Sequence, residues 1–352
     1  MLVAHSASSC NVEARLKGAM KIRSVIRSVA HYVPSRRVTN DELALYMDTT
    51  DEWIRERTGI KERRFVEDSS VSTTDLAEAA AKDALARAGW QAKEVDLIIA
   101  ATLSPDYYFP GIGVLLQKRL GCGPIPALDV RAQCSGLVYG LACVDGFIKS
   151  LQAKKVLLVC AEVQSPVLDL STRGREMAVL FGDGAGALCI EASEEGDRGI
   201  LDTVLGSDGR GADVLCMKLP GTATPGFITE SHFKDAQVHP FMDGKVVFKN
   251  AVTRLLETAT SILRRNRLSP DDIDLLVPHQ ANMRINEMVR TQLGLPENKV
   301  FNNIERYGNT TAATIPICLS EAVAEGRLRE GMTVVTLAFG AGFTWGGNLI
   351  RW

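Results

Sequence analysis

Uninterrupted apolar runs recur along this chain, separated by segments of helical spacing. Val95-Asp96-Leu97-Ile98-Ile99, Lys155-Val156-Leu157-Leu158-Val159-Cys160, Leu275-Leu276-Val277 and Met332-Thr333-Val334-Val335-Thr336 carry no alternating polar face. Such strands belong to sheets covered on both sides. Residues 135–150 and 312–325 read as helices that are apolar around most of their circumference, which predicts burial between layers. Met20-Lys21-Ile22-Arg23-Ser24-Val25 reads as the start of a first strand, and Ala187-Leu188-Cys189-Ile190 as another.

The pattern repeats. Leu85 to Ile99 aligns with Leu263 to Val277 at a displacement of 178 positions, each segment reading as helix end, short turn and buried strand with an aspartate near its start. Leu120-Gly121 and Leu293-Gly294 each close a helix. The loop at Cys134 with its apolar helix matches the loop at Asn309 with the second one. Two halves of shared topology follow, 20–195 and 196–352, preceded by a polar segment, 1–19. That segment lacks the apolar core of a signal peptide and is expected to be a disordered extension or an upstream start. The alternation of strands and helices sets the class as α/β, with the two apolar helices lying between two sheets.

Composition narrows the function by exclusion. The chain has 352 residues, 46% hydrophobic and 23% charged, with a formal net charge of −2. That is ample for a large core, gives no field suited to nucleic acid, and leaves no apolar run long enough to span a membrane. Eight cysteines form no C-x-x-C pair, so reduced thiols in a cytoplasmic protein are expected. Five histidines form no His/Cys cluster with metal-ligand spacing, so no metal site is expected.

Three loops hold candidate chemistry. Cys134 stands where an apolar strand gives way to a buried helix, and unpaired N–H groups at a helix start favour thiolate; a core cysteine at a tight turn fits the segment equally well. His279 follows a buried strand and precedes a helical pattern over 282–293, a place where histidine is usually structural. Asn309 beside Gly308 is, alone, a turn signal. Convergence of the halves would bring the three together. Phe181-Gly182-Asp183-Gly184-Ala185-Gly186 runs into a strand rather than a helix, so it reads as tight backbone packing and not as a dinucleotide loop. Gly340-Ala341-Gly342-Phe343-Thr344-Trp345-Gly346 could offer backbone N–H groups to an oxyanion.

These motifs, with Asp51-Glu52-Trp53-Ile54, Arg57-Thr58-Gly59-Ile60 and His279-Gln280-Ala281-Asn282, resemble the 3-oxoacyl-[acyl-carrier-protein] synthase III family of the thiolase superfamily, over residues 20–352. The resemblance implies a five-layered α-β-α-β-α thiolase fold built from two duplicated halves, and a homodimer. It implies decarboxylative condensation of a short-chain acyl-CoA with malonyl-acyl carrier protein, the first step of fatty acid synthesis. No cofactor would be bound permanently; the CoA thioester and the carrier protein's phosphopantetheine enter as substrates. Cys134 would carry the acyl group, with the N–H groups of Cys134 and Ala341 as its oxyanion hole. His279 and Asn309 would donate to the enolate of the second half-reaction. Trp53 and Arg173 would sandwich adenine, Arg57 and Asn282 would complete the CoA contacts, and Phe339 would pack beside the nucleophile. Phe109 would cross to close the partner's acyl pocket, and Lys249 and Arg284 would dock the carrier protein.

Two departures stand out. Thr291-Gln292 replaces the family's dibasic pair, and Ala341 replaces a glycine. The open alternative is a related enzyme of secondary metabolism that condenses onto another acceptor or transfers the acyl group to a hydroxyl or amine. A thiolase proper would need a cysteine in 338–346, and none is there.

Overall fold

The computed structural model describes residues 22–224 and 226–352, so the expectations for residues 1–19 and for Met20 and Lys21 lie outside the described residues. Five strands, β1 (Arg23–Tyr32), β2 (Leu97–Ala101), β3 (Ala127–Val130), β4 (Lys155–Glu162) and β5 (Gly184–Ser193), form one sheet in the order β1-β5-β4-β2-β3. Four more, β6 (Gly199–Ser207), β7 (Leu275–Pro278), β8 (Thr333–Gly340) and β9 (Thr344–Arg351), form a second sheet in the order β7-β8-β9-β6. Val300 makes an isolated parallel bridge to Leu276, beside β7, in the place that β3 takes beside β2.

The two sheets share their ladders residue by residue. Leu97 pairs with Val156 in parallel, and Leu275 with Val334, so both partners are displaced by the same 178 positions. The aspartates before β2 and β7 act alike. The Asp96 carboxylate accepts from the Lys155 N–H at 2.9 Å, and that of Asp274 from the Thr333 N–H at 2.7 Å. Each satisfies a backbone donor at the start of the neighbouring strand and fixes its register.

Seven helices of eight residues or more complete the described chain: α1 (Asp51–Thr58), α2 (Thr73–Ala88), α3 (Ile112–Leu120), α4 (Gly136–Lys149), α5 (Gly244–Asn266), α6 (Met283–Gln292) and α7 (Thr314–Ala324). Leu76, Ala80 and Ala84 of α2 and Leu116 of α3 pack on the outer face of the first sheet through Ile98, Leu157 and Val159. Leu255, Ala259 and Ile262 of α5 and Val289 of α6 cover the second sheet through Leu276, Val335 and Leu337. Between the sheets α4 and α7 join the inward residues of both, Leu137 and Leu141 meeting Ile315 and Leu319 with Ile99, Leu158, Val277 and Val334. This is the five-layered α-β-α-β-α thiolase fold. Among the described residues, no helix is long and apolar enough to cross a membrane.

The starts of the central helices lie close together. A Cβ on Gly136 would come within 2.7 Å of the Ala312 Cβ and 3.0 Å of the Ala101 Cβ, so hydrogen is what fits there. Gln133 (φ 46°) and Thr311 (φ 48°) both take the left-handed conformation one turn before their helices. The residue aligned with Cys134 is therefore Ala312, and Asn309 stands three positions earlier. The loops correspond as expected, but the reactive side chains do not come from equivalent positions.

Candidate active site

Cys134 sits in a single 3₁₀ turn, Gln133–Ser135, that leads into α4. The Ser135 hydroxyl donates to the Thr344 carbonyl at 3.1 Å, and the Thr344 hydroxyl to that of Ala341 at 3.1 Å, which ties this turn to the loop between β8 and β9. Gly340 permits the approach, because a Cβ there would lie 2.7 Å from the Cys134 Cβ. The backbone N–H groups of Cys134 and Ala341 lie near enough to the sulfur to favour its charged form. The helix-start expectation is only half met. Burial, reinforced by the Glu162 carboxyl, pushes the thiol up to about 12 against the pull of those two N–H groups. The resting group is a thiol, and the amides are placed for charge that develops on reaction.

His279 follows β7, and its own N–H bonds to the Leu337 carbonyl at 2.7 Å, extending the ladder to β8. The imidazole is buried, and burial pushes it down to about 3, so it is neutral. Its Nδ1 meets the Thr314 hydroxyl at 2.6 Å, whereas Nε2 has no hydrogen-bond partner. Asn309 is held by its backbone. Its N–H bonds to the Leu180 carbonyl at 2.8 Å, and its carbonyl accepts from Gly182 at 3.1 Å. The Asn309 Oδ1 accepts from the Thr311 N–H at 2.8 Å, which turns the amide so that its NH2 end is available to the cavity. The glycine loop before β5 is thus the backbone clamp that its sequence suggested.

One cavity of about 2110 Å³ is lined by Cys134, His279, Asn309, Phe339 and Ala341 together. Trp53, Arg57, Asn282 and Arg284 line it as well. The Trp53 ring has the Arg57 guanidinium 4.4 Å and that of Arg175 4.6 Å from its centroid. Arg173 is not brought to Trp53. It pairs with Asp169 at 2.7 Å and donates to the Lys234 carbonyl at 3.3 Å, and this anchoring holds it away from the cavity lining. Asn282 caps α6 through its Oδ1 and donates to the Arg57 carbonyl at 2.9 Å, so both ends of its amide are engaged. Arg284 stacks 5.7 Å from the Phe248 ring, Lys249 is exposed on α5, and Phe339 packs 4.9 Å from Phe343. Phe109 is 80% exposed and lines no part of this cavity. Arg290 bonds to Glu287 and to the Leu295 carbonyl, so it does not replace the missing dibasic pair.

Three buried polar residues were given no role of their own from the sequence. Glu162, at the end of β4, accepts from the Ser104 hydroxyl at 2.7 Å and the Gln164 amide at 3.1 Å. The Asp183 carboxylate gathers the N–H groups of Val66, Gln164 and Ser165. Gln280 accepts from the Asn303 and Ile304 N–H groups beside the His279 loop. Each was visible as a polar residue closing an otherwise apolar or glycine-rich run, a position that requires buried partners.

Comparison with known proteins decides the family. Residues 128–209 match the description 3-oxoacyl-[acyl-carrier-protein] synthase III, and residues 263–352 match its C-terminal counterpart. The β-ketoacyl-[acyl-carrier-protein] synthase III of Rhodospirillum centenum is 47% identical over 95% of this chain and 100% of its own. The chain belongs to the 3-oxoacyl-[acyl-carrier-protein] synthase III family. The solved synthase III structures of Thermus thermophilus and Aquifex aeolicus superpose with TM-scores of 0.86 and 0.85, at 41% and 39% identity. Each covers 94% of this chain, and the chain covers 99% and 100% of theirs.

Proposed function

We propose that Cys134 carries the acyl group between the two half-reactions of the condensation this chain catalyses, in which a short-chain acyl-CoA is joined to malonyl-acyl carrier protein with loss of CO₂. The observation that carries this reading is the cavity shared by Cys134, His279 and Asn309, with the Cys134 and Ala341 N–H groups beside the sulfur. The Cys134 sulfur attacks the thioester carbonyl. The N–H groups of Cys134 and Ala341 hold the tetrahedral oxyanion, and CoA leaves with the proton the thiol gave up. Malonyl-carrier protein then loses CO₂, and the electron pair of the broken bond becomes an enolate. The His279 Nε2–H and the Asn309 NH2 donate to its oxygen. Its carbon attacks the acyl-cysteine and expels the Cys134 thiolate, giving 3-oxoacyl-carrier protein, and the thiolate takes a proton from solvent to restore the thiol. Decarboxylation generates the nucleophile, so no base has to remove a carbon-bound proton.

Around this centre, Trp53 and Arg57 hold CoA, Phe339 packs beside the sulfur, and Lys249 and Arg284 meet the acidic carrier protein. The enzyme works in the cytoplasm, and as a homodimer; the exposed Phe109 and Leu128 near the edge strand β3 support the dimer. The test separates the half-reactions with labelled acyl-CoA. Cys134→Ala abolishes labelling of the protein, and His279→Ala spares labelling more than product formation. Equal losses in the His279 variant would contradict the division of labour.

A further inference from the structure

The proposed enolate contact needs hydrogen on His279 Nε2, yet a neutral imidazole carries only one N–H. Which nitrogen holds it is set by what faces the other. Nδ1 faces the Thr314 hydroxyl at 2.6 Å. That hydroxyl has one hydrogen and two neighbours, the other being the Thr311 carbonyl at 3.1 Å. If the hydrogen goes to Thr311, then Nδ1 must donate and Nε2 is bare. If it goes to Nδ1, then Nε2 keeps its hydrogen and presents it to the cavity. The Thr311 carbonyl does not depend on the hydroxyl, because it already accepts the backbone N–H of Thr314. The imidazole is also the nearer of the two neighbours.

We propose that Thr314 is a positioning residue whose hydroxyl donates to His279 Nδ1 and so holds the imidazole with its N–H on Nε2. This inference rests on the reading of His279 as the enolate donor. The same short segment settles both donors. The Thr311 N–H takes the Asn309 Oδ1, leaving NH2 forward, and the Thr314 hydroxyl takes the His279 Nδ1, leaving N–H forward. The 3₁₀ turn Thr311–Ala313 and the first residue of α7 therefore turn two ambiguous side chains into two hydrogen-bond donors. The turn aligned with it, at Gln133–Ser135, carries the nucleophile. One turn of the repeat supplies the thiol and its mate orients the groups that act on the second substrate.

The test uses the full chain with Thr314→Val, which keeps the shape and removes the hydroxyl, and Thr314→Ser, which restores it. Thr314→Val should acylate Cys134 at the wild-type rate but decarboxylate malonyl-carrier protein about 10-fold to 100-fold more slowly, less than the roughly 100-fold to 1000-fold cost of deleting a transition-state donor outright, because Thr314 acts through His279. Thr314→Ser should recover most of the loss. In wild-type protein labelled with ¹⁵N-histidine, the His279 signals, assigned by their absence in His279→Ala, should show Nε2 protonated and Nδ1 bare. A bare Nε2 in the wild type would overturn the proposal whether or not either Thr314 variant folds. So would wild-type decarboxylation by Thr314→Val, or a serine variant as slow as the valine one. If His279→Ala itself decarboxylates normally, the reading of His279 has failed; if it does not and Thr314→Val does, only the role of Thr314 has failed.

Discussion

Cys134 and His279 are both neutral at rest because burial disfavours the charged form of each, with the Glu162 carboxyl acting in the same direction at Cys134, and this has consequences that can be titrated. Alkylation of Cys134 by iodoacetamide should climb through the alkaline range without levelling off near pH 8 to 9; a plateau by neutral pH would show a resting thiolate. For His279 the sign is opposite. Its folded value of about 3 lies below the roughly 6.5 of an unfolded histidine. Between those limits the unfolded chain binds a proton that the folded one does not, so stability falls as pH falls through that window. His279→Gln should flatten this part of the dependence of the denaturation midpoint on pH, and matching slopes in variant and wild type would contradict it. Cys134 was legible as a thiol at a helix start. The direction of its titration was not, because burial and the Glu162 carboxyl come from segments distant in sequence.

The repeat is the feature of the elements that the chain disclosed most fully. The displacement of 178 positions read from the helix ends and aspartates recurs in the ladder pairings of β2 with β4 and of β7 with β8. The apolar helices expected at 135–150 and 312–325 are α4 and α7, each shortened by a leading 3₁₀ turn. The displacement of 178 positions already pairs Cys134 with Ala312 rather than Asn309, but the conformation of the two turns is not written in the sequence. Gln133 and Thr311 both take the left-handed conformation, which has no signal in those residue types. Sequence also could not show that Arg173 turns toward Asp169, since an exposed arginine is placed by whichever acid folds beside it. The close crossing of α4 and α7 gives a prediction at this scale. Gly136→Ala should destabilise the protein by about 1–3 kcal/mol, the usual cost of overpacking a filled core, read as a lower denaturant midpoint. An unchanged midpoint would mean that the helix starts have room to part.

For the whole molecule, the layers place one cavity where both halves meet, with the nucleophile from the first half and His279 and Asn309 from the second. Tyr107 and Tyr108 line that cavity while the neighbouring Phe109 is exposed outside it, and in the proposed homodimer Phe109 completes the partner's acyl pocket. Phe109→Ala should therefore extend the acceptable acyl-CoA chain upward, and an unchanged chain-length profile would remove Phe109 from the pocket. The central claim is that a single cysteine shuttles the acyl group between two substrates. The most direct test is mass spectrometry of the intact protein and its peptides, first with a panel of short acyl-CoAs and then after malonyl-carrier protein is added. The account predicts one acyl adduct, on the Cys134 peptide, which disappears on the second addition as CO₂ and 3-oxoacyl-carrier protein form. An adduct on another residue, or discharge to a hydroxyl or amine without CO₂, would contradict it.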